Sequence, residues 1–235
     1  EEFNRHAISI ISLLNFAPTE VAMNNLLREN VNKSTIYVTG NTVFDALEFT
    51  STIPSNNKEL YEWLGNDRLV LLTAHRRENI GLDMENMFEA IKEIVVSNKN
   101  VKVIYPVHLN PAVRSLARKH LLHERIKLVE PLNVVDFHDL MRRSYVILTD
   151  SGGIQEEACA LRKPVLVMRG TTERPEGITA NVLKLVGTKK EDIVGFTNKL
   201  INNPSLYQSM ANGSMPFGLP GASKKIIEII KSDLK

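Results

Sequence analysis

The chain has 235 residues, 43% of them hydrophobic and 24% charged, which suits one large α/β domain or one domain with part of a second. Its 29 basic and 27 acidic residues leave a net charge of +2, which excludes the strongly basic surface typical of nucleic-acid binding. A single cysteine, Cys159, excludes an internal disulfide and a cysteine-based zinc site and indicates a reducing, cytoplasmic compartment.

An apolar helical pattern covers residues 7–17, shortly after the acidic pair Glu1 and Glu2. It is about half the length of a membrane span and lacks the basic residues that precede a signal-peptide core, so we predict no membrane segment and no leader. The chain starts without methionine and nothing before this pattern shields it. We therefore expect the chain to begin inside a larger protein.

Strand and helix patterns then alternate along the chain, with a polar loop at residues 54–58. The predicted strands lie at residues 35–39, 69–73, 101–106, 126–129, 145–149, 165–168 and 182–186. The predicted helices lie at residues 84–96, 111–121, 134–143, 153–161, 191–202, 204–211 and 222–234. This alternation predicts an α/β fold, a Rossmann-like parallel sheet with helices on both faces. In such sheets ligands bind at the carboxyl ends of the strands.

Polar clusters follow two of these strands. His75, Arg76 and Arg77 come directly after the strand at 69–73, and His108 follows the strand at 101–106. The first cluster is either a solvated basic loop or an anion site, because guanidinium and imidazole groups bind phosphate and carboxylate. His108 either caps the helix that follows it or belongs to the same site.

The strongest cluster covers residues 149–157. Gly152 and Gly153 allow a tight turn and close backbone approach, and the helix that follows presents free N–H groups to an anion. Ser151 adds a hydroxyl donor, and Glu157, about one turn into the helix, can accept from both hydroxyls of a ribose. The alternative is a turn that merely starts a helix. The pattern is neither a Walker loop nor G-x-G-x-x-G.

A further cluster, residues 169–176, follows the strand at 165–168 and brings another guanidinium to the same edge of the sheet. Four clusters at successive strand ends together predict a site for a diphosphate ligand that carries a sugar or ribose.

These segments resemble the non-hydrolysing UDP-N-acetylglucosamine 2-epimerases. The matching stretches are residues 1–5, 16–19, 39–42, 73–78, 105–111, 148–157 and 171–176. The resemblance implies a glycosyltransferase-B-like protein with two Rossmann-like domains and an active site between them. Residues 1–40 would form the tail of the N-terminal domain, residues 41–66 a linker with a connecting helix, and residues 67–235 the C-terminal, UDP-binding domain.

The resemblance also implies the chemistry. Members interconvert UDP-GlcNAc and UDP-ManNAc by anti elimination of UDP to 2-acetamidoglucal, followed by re-addition of UDP to the other face. This isomerase reaction requires no metal and no cofactor and serves cell-wall polysaccharide synthesis. The implied partners are UDP-GlcNAc, UDP-ManNAc and UDP, with a homodimer for the full-length protein and neither nucleic acid nor membrane.

Two residues are implied to be catalytic. Glu1 resembles the carboxylate of the family's Pro-Glu-Glu segment, and His75 resembles the histidine that stabilises or protonates the departing UDP. An arginine, an aspartate and a glutamate of the family's N-terminal domain precede Glu1 and are not in this sequence, so we expect the chain alone to be inactive. Ser151, Gly152 and Gly153 are implied to hold phosphate.

The remaining implied contacts complete the ligand. Glu157 would bind the ribose diol, the backbone near Phe137 the uracil, and Arg174 would complete the anion shell. Arg76 and His108 resemble residues that contact a second, regulatory UDP-GlcNAc beside the active site in bacterial members.

The sequence departs from the family pattern at Asn15, Arg162, Gly170 and residues 215–220, and Arg162 stands where a glycine is usual. Two alternatives remain open. A glycosyltransferase of the glycosyltransferase-B class would share the nucleotide-binding turn and move the sugar to an acceptor. A non-catalytic UDP-sugar-binding module would need only the C-terminal domain.

Overall fold

The computed structural model of the protein describes residues 2–218 and 220–233. Its strands are β1 (Asn15–Ala17), β2 (Ile36–Val38), β3 (Arg68–Thr73), β4 (Val101–Pro106), β5 (Ile126–Val129), β6 (Val146–Thr149), β7 (Val165–Val167) and β8 (Leu183–Leu185). Its helices are α1 (Glu2–Ile11), α2 (Glu20–Arg28), α3 (Thr42–Thr50), α4 (Lys58–Leu64), α5 (Leu82–Ser97), α6 (Pro111–His120), α7 (Val134–Arg143), α8 (Gly152–Ala160), α9 (Pro175–Thr179), α10 (Lys190–Asn202), α11 (Pro204–Ala211) and α12 (Ala222–Asp233). Short 3-10 helices cover Lys33–Thr35 and Arg77–Asn79.

The chain divides into two compact units. One holds the chain up to Phe49 and again from Met215, and the other holds Thr50–Ser214. These units do not follow the domain bounds expected from the sequence, which place residues 215–235 with the larger domain, so those bounds stay a proposal.

The smaller unit contains a parallel pair of short strands. β1 pairs with β2, with Asn15 opposite Ile36. In the same unit, Asp45 of α3 accepts hydrogen bonds from the backbone N–H groups of Gly221 and Ser223, which hold the start of α12. The strand β1 lies inside the apolar run that was expected to be helical, because its pairing with β2 outweighs the local pattern.

The larger unit is built on a six-stranded parallel sheet in the order β5-β4-β3-β6-β7-β8. Leu69, Val70, Leu71 and Leu72 of β3 are 0–1% exposed, as expected for a central strand covered on both faces. Helix α5 packs with α6 and α10, while α7 contacts β3 and α8 contacts β6 and β7. Because crossovers between parallel strands are right-handed, connections that lead to opposite sides of β3 cover opposite faces of the sheet. The predicted α/β fold with a Rossmann-like parallel sheet is therefore confirmed.

The strand order reverses at β3. From there the chain passes to β4 and β5 on one side, and then returns to β6 and continues to β7 and β8 on the other. Thr73 and Thr149, the last residues of β3 and β6, are neighbours in register, and their hydroxyl oxygens lie 2.6 Å apart. The loops that leave these two strands diverge, so a crevice opens between them at the carboxyl edge of the sheet.

Helix α8 ends in a Schellman motif. The backbone N–H of Arg162 bonds to the carbonyl of Cys159, and that of Lys163 bonds to the carbonyl of Ala158. Arg162 has a φ of 54°, the left-handed conformation that glycine adopts with least strain. This conformation suits the glycine that the family resemblance leads us to expect at this position.

Within the described residues, no helix is long and apolar enough to cross a membrane.

Candidate functional site

Asp150 joins the two loops that meet where the strand order reverses. It follows β6, is fully buried, and accepts hydrogen bonds from the backbone N–H groups of His75, at 3.0 Å to Oδ2, and of Arg76, at 2.9 Å. The side-chain amide of Asn79 donates to the same carboxylate at 3.2 Å. The loop after β3 is therefore pinned to the end of β6 by a buried carboxylate.

The ring of His75 lies at the mouth of this crevice. Its Nδ1 faces Oδ1 of Asp150 at 3.5 Å, and its ring stacks on that of His108 with centroids 5.2 Å apart. His108 is itself held by the backbone N–H of Asn110, which donates to the His108 Nδ1 at 3.1 Å. Because Nδ1 of His75 faces Asp150, its Nε2 is the nitrogen left to meet a ligand.

A cavity of about 320 Å³ opens beside these rings. Its lining contains four of the side chains singled out from the sequence, namely His75, His108, Phe137 and Ser151. The other lining residues are Thr73, Ala74, Pro106, Leu109, Pro131, Leu132 and Ile154. A largely apolar wall with a few polar groups at one end suits a flat ring joined to a charged group.

The amino end of α8 faces the same crevice. Ser151 is its N-cap and makes no capping hydrogen bond with its side chain in the described structure. The first N–H groups of a helix have no intrahelical partner, so those of the first turn, which begins at Gly152, are available to an anion. Neither Gly152 nor Gly153 has a positive φ, so the backbone conformation at these two positions does not itself require glycine. Open space around Gly153 instead leaves the backbone accessible.

Two of the expected guanidinium groups share one carboxylate of the protein, that of Glu173. Arg169 is 5% exposed and forms two hydrogen bonds with Glu173, at 2.5 and 2.7 Å. Arg76 reaches the same carboxylate at 3.3 Å and bonds to Glu78 at 2.6 Å. The hydrogen bonds from Arg169 lower the pKa of Glu173 to about 2, so this carboxylate is ionised at neutral pH.

Arg174 lies next to the start of α8. Its Nε donates to Glu156, and its Nη2 would lie 4.0 Å from a Cβ placed on Gly152. The loop that carries it is fixed by the hydroxyl of Thr172, which donates to the buried Gln155 at 2.7 Å. The structure therefore brings Arg174 close to the proposed phosphate-binding turn.

Glu157 contacts a buried histidine. Its Oε2 lies 3.6 Å from Nε2 of His138, and the Nδ1 of the same ring lies 2.8 Å from the hydroxyl oxygen of Thr50. His138 is 7% exposed and follows Phe137, which lines the cavity. Glu157 itself is outside that lining.

The amino half of α7, which carries Phe137, is anchored from the chain segment before β3. Asp136 accepts from the backbone N–H of Asn56 at 2.7 Å, and Asp139 accepts from Ser55 at 2.5 Å and from Tyr61. Burial raises the pKa of Asp139, but the hydrogen bonds from Ser55 and Tyr61 outweigh it and hold the pKa at about 2. Two buried carboxylates thus fix the position of the helix beside the cavity.

Sequence reasoning missed three residues that shape the site. Asp150 stood inside the cluster at 149–157, and an acidic residue at the end of a buried strand was the available signal. No local pattern marked His138 or Thr50. Glu1, predicted to be catalytic, lies outside the described residues. In the described part of the chain, no group of three or more histidine, cysteine or acidic side chains could hold a metal ion.

Comparison with known proteins decides the family. The profile described as UDP-N-acetylglucosamine 2-epimerase matches residues 1–231. The chain belongs to the UDP-N-acetylglucosamine 2-epimerase family. The resemblance inferred from the sequence is therefore confirmed. The chain is 50% identical over 229 residues to the UDP-N-acetylglucosamine 2-epimerase of Bacillus subtilis (strain 168), which covers 97% of this chain and 60% of that protein.

Solved structures of UDP-N-acetylglucosamine 2-epimerases share the fold. The S. aureus MnaA–UDP co-structure is 45% identical with a TM-score of 0.93, and the match covers 100% of this chain and 64% of that one. The Neisseria meningitidis enzyme bound to UDP-GlcNAc is 41% identical with a TM-score of 0.92, covering 99% and 65%. This chain thus spans about 60% of the length of the curated relatives it matches.

Proposed function

We propose that this chain is the UDP-binding part of a UDP-N-acetylglucosamine 2-epimerase. The observation that carries the proposal is the meeting of His75 with the amino end of α8 at the point where the strand order reverses. Nucleotides bind at such points in doubly wound sheets, with phosphate at a helix amino terminus. Two of the similar solved structures contain UDP or UDP-GlcNAc, which supports this ligand.

The site residues then take distinct roles. The N–H groups at Gly152 and Gly153 and the hydroxyl of Ser151 hold the diphosphate. Nε2 of His75 faces the oxygen that leaves with UDP, where it stabilises the developing charge or supplies a proton. Asp150 holds the backbone of His75 in place for this step.

The outer contacts complete recognition of the nucleotide. Uracil lies along the backbone near Phe137, at the apolar wall of the cavity, and the ribose diol donates to Glu157. Arg174 adds positive charge beside the phosphates once the ligand competes with Glu156 for its guanidinium. Arg76 and His108 remain candidates for contacts with a second, regulatory UDP-GlcNAc.

The reaction itself belongs to the complete enzyme. It eliminates UDP from UDP-GlcNAc to form 2-acetamidoglucal and adds UDP back to the other face, which yields UDP-ManNAc. Glu1 would supply a catalytic carboxylate, together with groups from an N-terminal domain of the glycosyltransferase-B-like pair. We infer that the 235 residues alone bind the nucleotide sugar without converting it, and that the complete enzyme is a homodimer in the cytoplasm.

Ligand choice tests the proposal directly. Titration calorimetry with the 235-residue chain should show binding of UDP in preference to NAD and ATP, because the site offers one diphosphate turn and one diol acceptor. Ser151→Ala should weaken UDP binding, whereas Ser205→Ala, in the first turn of α11 and away from the crevice, should not. Equal or tighter binding of NAD would contradict the assignment of the site.

A further inference from the structure

Three side chains from distant parts of the sequence form a line that runs from two buried residues to the partly exposed, proposed ribose acceptor. Thr50 closes α3, His138 lies on α7, and Glu157 lies on α8. The Thr50 hydroxyl oxygen lies 2.8 Å from Nδ1 of His138, and Nε2 of His138 lies 3.6 Å from Oε2 of Glu157. Thr50 and His138 are 8% and 7% exposed, so water has little access to these two side chains.

The neighbouring Glu157 carboxylate determines which nitrogen holds the proton when the His138 ring carries only one. If Nε2 carried no proton, its lone pair would face the carboxylate of Glu157, and the two would repel each other in a buried setting. With the proton on Nε2, the ring attracts Glu157, and Nδ1 becomes an acceptor for the Thr50 hydroxyl. The geometry therefore favours one tautomer, in which Thr50 donates and Nε2–H faces Glu157.

The contact leaves Glu157 able to bind a ligand. At 3.6 Å the Nε2–Oε2 pair is longer than a hydrogen bond, so His138 orients the carboxylate by electrostatic attraction. Among the described residues, the Glu157 carboxylate accepts no hydrogen bond. Its lone pairs thus remain available for two donors on adjacent carbons, as in a ribose diol.

We propose that His138 is a positioning residue for nucleotide recognition, with Thr50 setting its tautomer. His138 holds Glu157 in the orientation that accepts both ribose hydroxyls, and so contributes to selection of a ribonucleotide with an intact diol. This inference rests on the proposed UDP-binding function. The competing explanation is purely structural, in that His138 and Thr50 only tie the end of α3 to α7.

Discrimination between UDP and 2′,3′-dideoxy-UDP separates these explanations, because a structural role would weaken both ligands alike. We would measure both affinities by calorimetry for the wild-type chain, Glu157→Gln, His138→Phe and Thr50→Val. The control for Thr50→Val is Thr197→Val, which removes another buried hydroxyl, one that donates to the carbonyl of Ile193 at 2.7 Å. The control for His138→Phe is His120→Phe, because His120 also faces a carboxylate, that of Glu89 at 2.8 Å.

The wild-type chain should favour UDP about tenfold or more, and Glu157→Gln should abolish most of this preference. His138→Phe should reduce this preference for UDP over 2′,3′-dideoxy-UDP about fivefold, and Thr50→Val should reduce it about twofold. The controls His120→Phe and Thr197→Val should keep the wild-type preference. In the Glu157→Gln background, His138→Phe should change the ratio no further, because the two residues act through one contact.

This inference would be overturned if folded His138→Phe and Thr50→Val both kept the wild-type preference for UDP over 2′,3′-dideoxy-UDP while Glu157→Gln lost it. That result would leave the proposed function intact. A wild-type chain that does not bind UDP or does not discriminate would overturn both. If His138→Phe fails to fold, as judged by circular dichroism, Thr50→Val decides, because valine keeps the shape of threonine.

Discussion

The backbone nitrogen of His75 lies 3.0 Å from Oδ2 of Asp150, a carboxylate that has no exposure to solvent. The two residues are 75 positions apart and stand at the ends of β3 and β6, the strands between which the sheet order reverses. A buried charge is tolerated only with several hydrogen bonds, and here two backbone N–H groups and the amide of Asn79 supply them. The position of the proposed catalytic histidine thus depends on a residue of the neighbouring loop.

Asp150→Asn should disturb both stability and binding. All three donors reach Oδ2, and an amide oxygen in that place is a weaker acceptor than a carboxylate oxygen. The amide also places an NH₂ group where Oδ1 now faces the backbone N–H of His75. We expect a loss of about 2 kcal/mol in the free energy of unfolding and about tenfold weaker UDP binding. Denaturant titration and calorimetry would measure these effects. Asp192→Asn, at an exposed position in the first turn of α10, is the control and should change neither quantity.

His75→Ala should act mainly on turnover in the full-length protein. If Nε2 stabilises charge on the departing UDP, the interaction grows in the transition state, so the loss falls on kcat more than on KM. We expect kcat to fall by about 10²–10⁴-fold. A coupled assay of UDP-ManNAc formation would measure this. A variant with kcat within a few-fold of the wild type would make His75 a binding residue.

Asp139 should make the fold sensitive to acid. Its pKa falls from 3.8 to about 2 in the folded protein, which corresponds to about 2 kcal/mol of stabilisation at neutral pH. The unfolded carboxyl keeps the higher pKa, so this stabilisation is complete above about pH 4 and is lost as the pH falls through about 2. Asp139→Asn should therefore be less stable than the wild type at pH 7.

The measurement is denaturant unfolding of both proteins between pH 7 and pH 2.5. The difference between wild type and Asp139→Asn should narrow as the pH falls, because protonation removes the charge that Ser55 and Tyr61 stabilise. A difference that stays constant over this range would show that the hydrogen bonds do not depend on the charge of Asp139.

Arg162→Gly should stabilise the protein. Arg162 occupies the left-handed position after α8, where a side chain costs about 1 kcal/mol more than glycine. Part of this gain is offset by the greater freedom of glycine in the unfolded chain, so we expect a net increase of about 0.5 kcal/mol in the free energy of unfolding. Arg162→Ala removes the same side chain but keeps the Cβ, and it should give no increase. Equal stabilisation by both variants would indicate that the arginine side chain, and not the backbone, is unfavourable.

The sequence predicted the architecture of the larger unit closely. The strands at 101–106 and 126–129 and the helix at 134–143 have the predicted bounds, because buried parallel strands and amphipathic helices leave strong local patterns. The helix Pro175–Thr179 of this unit was missed, as was the short strand Asn15–Ala17 of the smaller unit. Elements of three to five residues carry too little periodicity to be recognised without their partners.

The sequence by itself determined the fold class, the family and the positions of the polar clusters at the carboxyl ends of the strands. Each of these follows from residues that are close together in the chain. Tertiary structure alone decided which side chains meet, because contacts across 75 to 88 positions depend on strand order and helix packing. It paired Asp150 with His75 and placed Thr50 and His138 behind Glu157. It also set Glu173 against Arg169 and Arg76, so that these two guanidinium groups share one of the protein's own carboxylates.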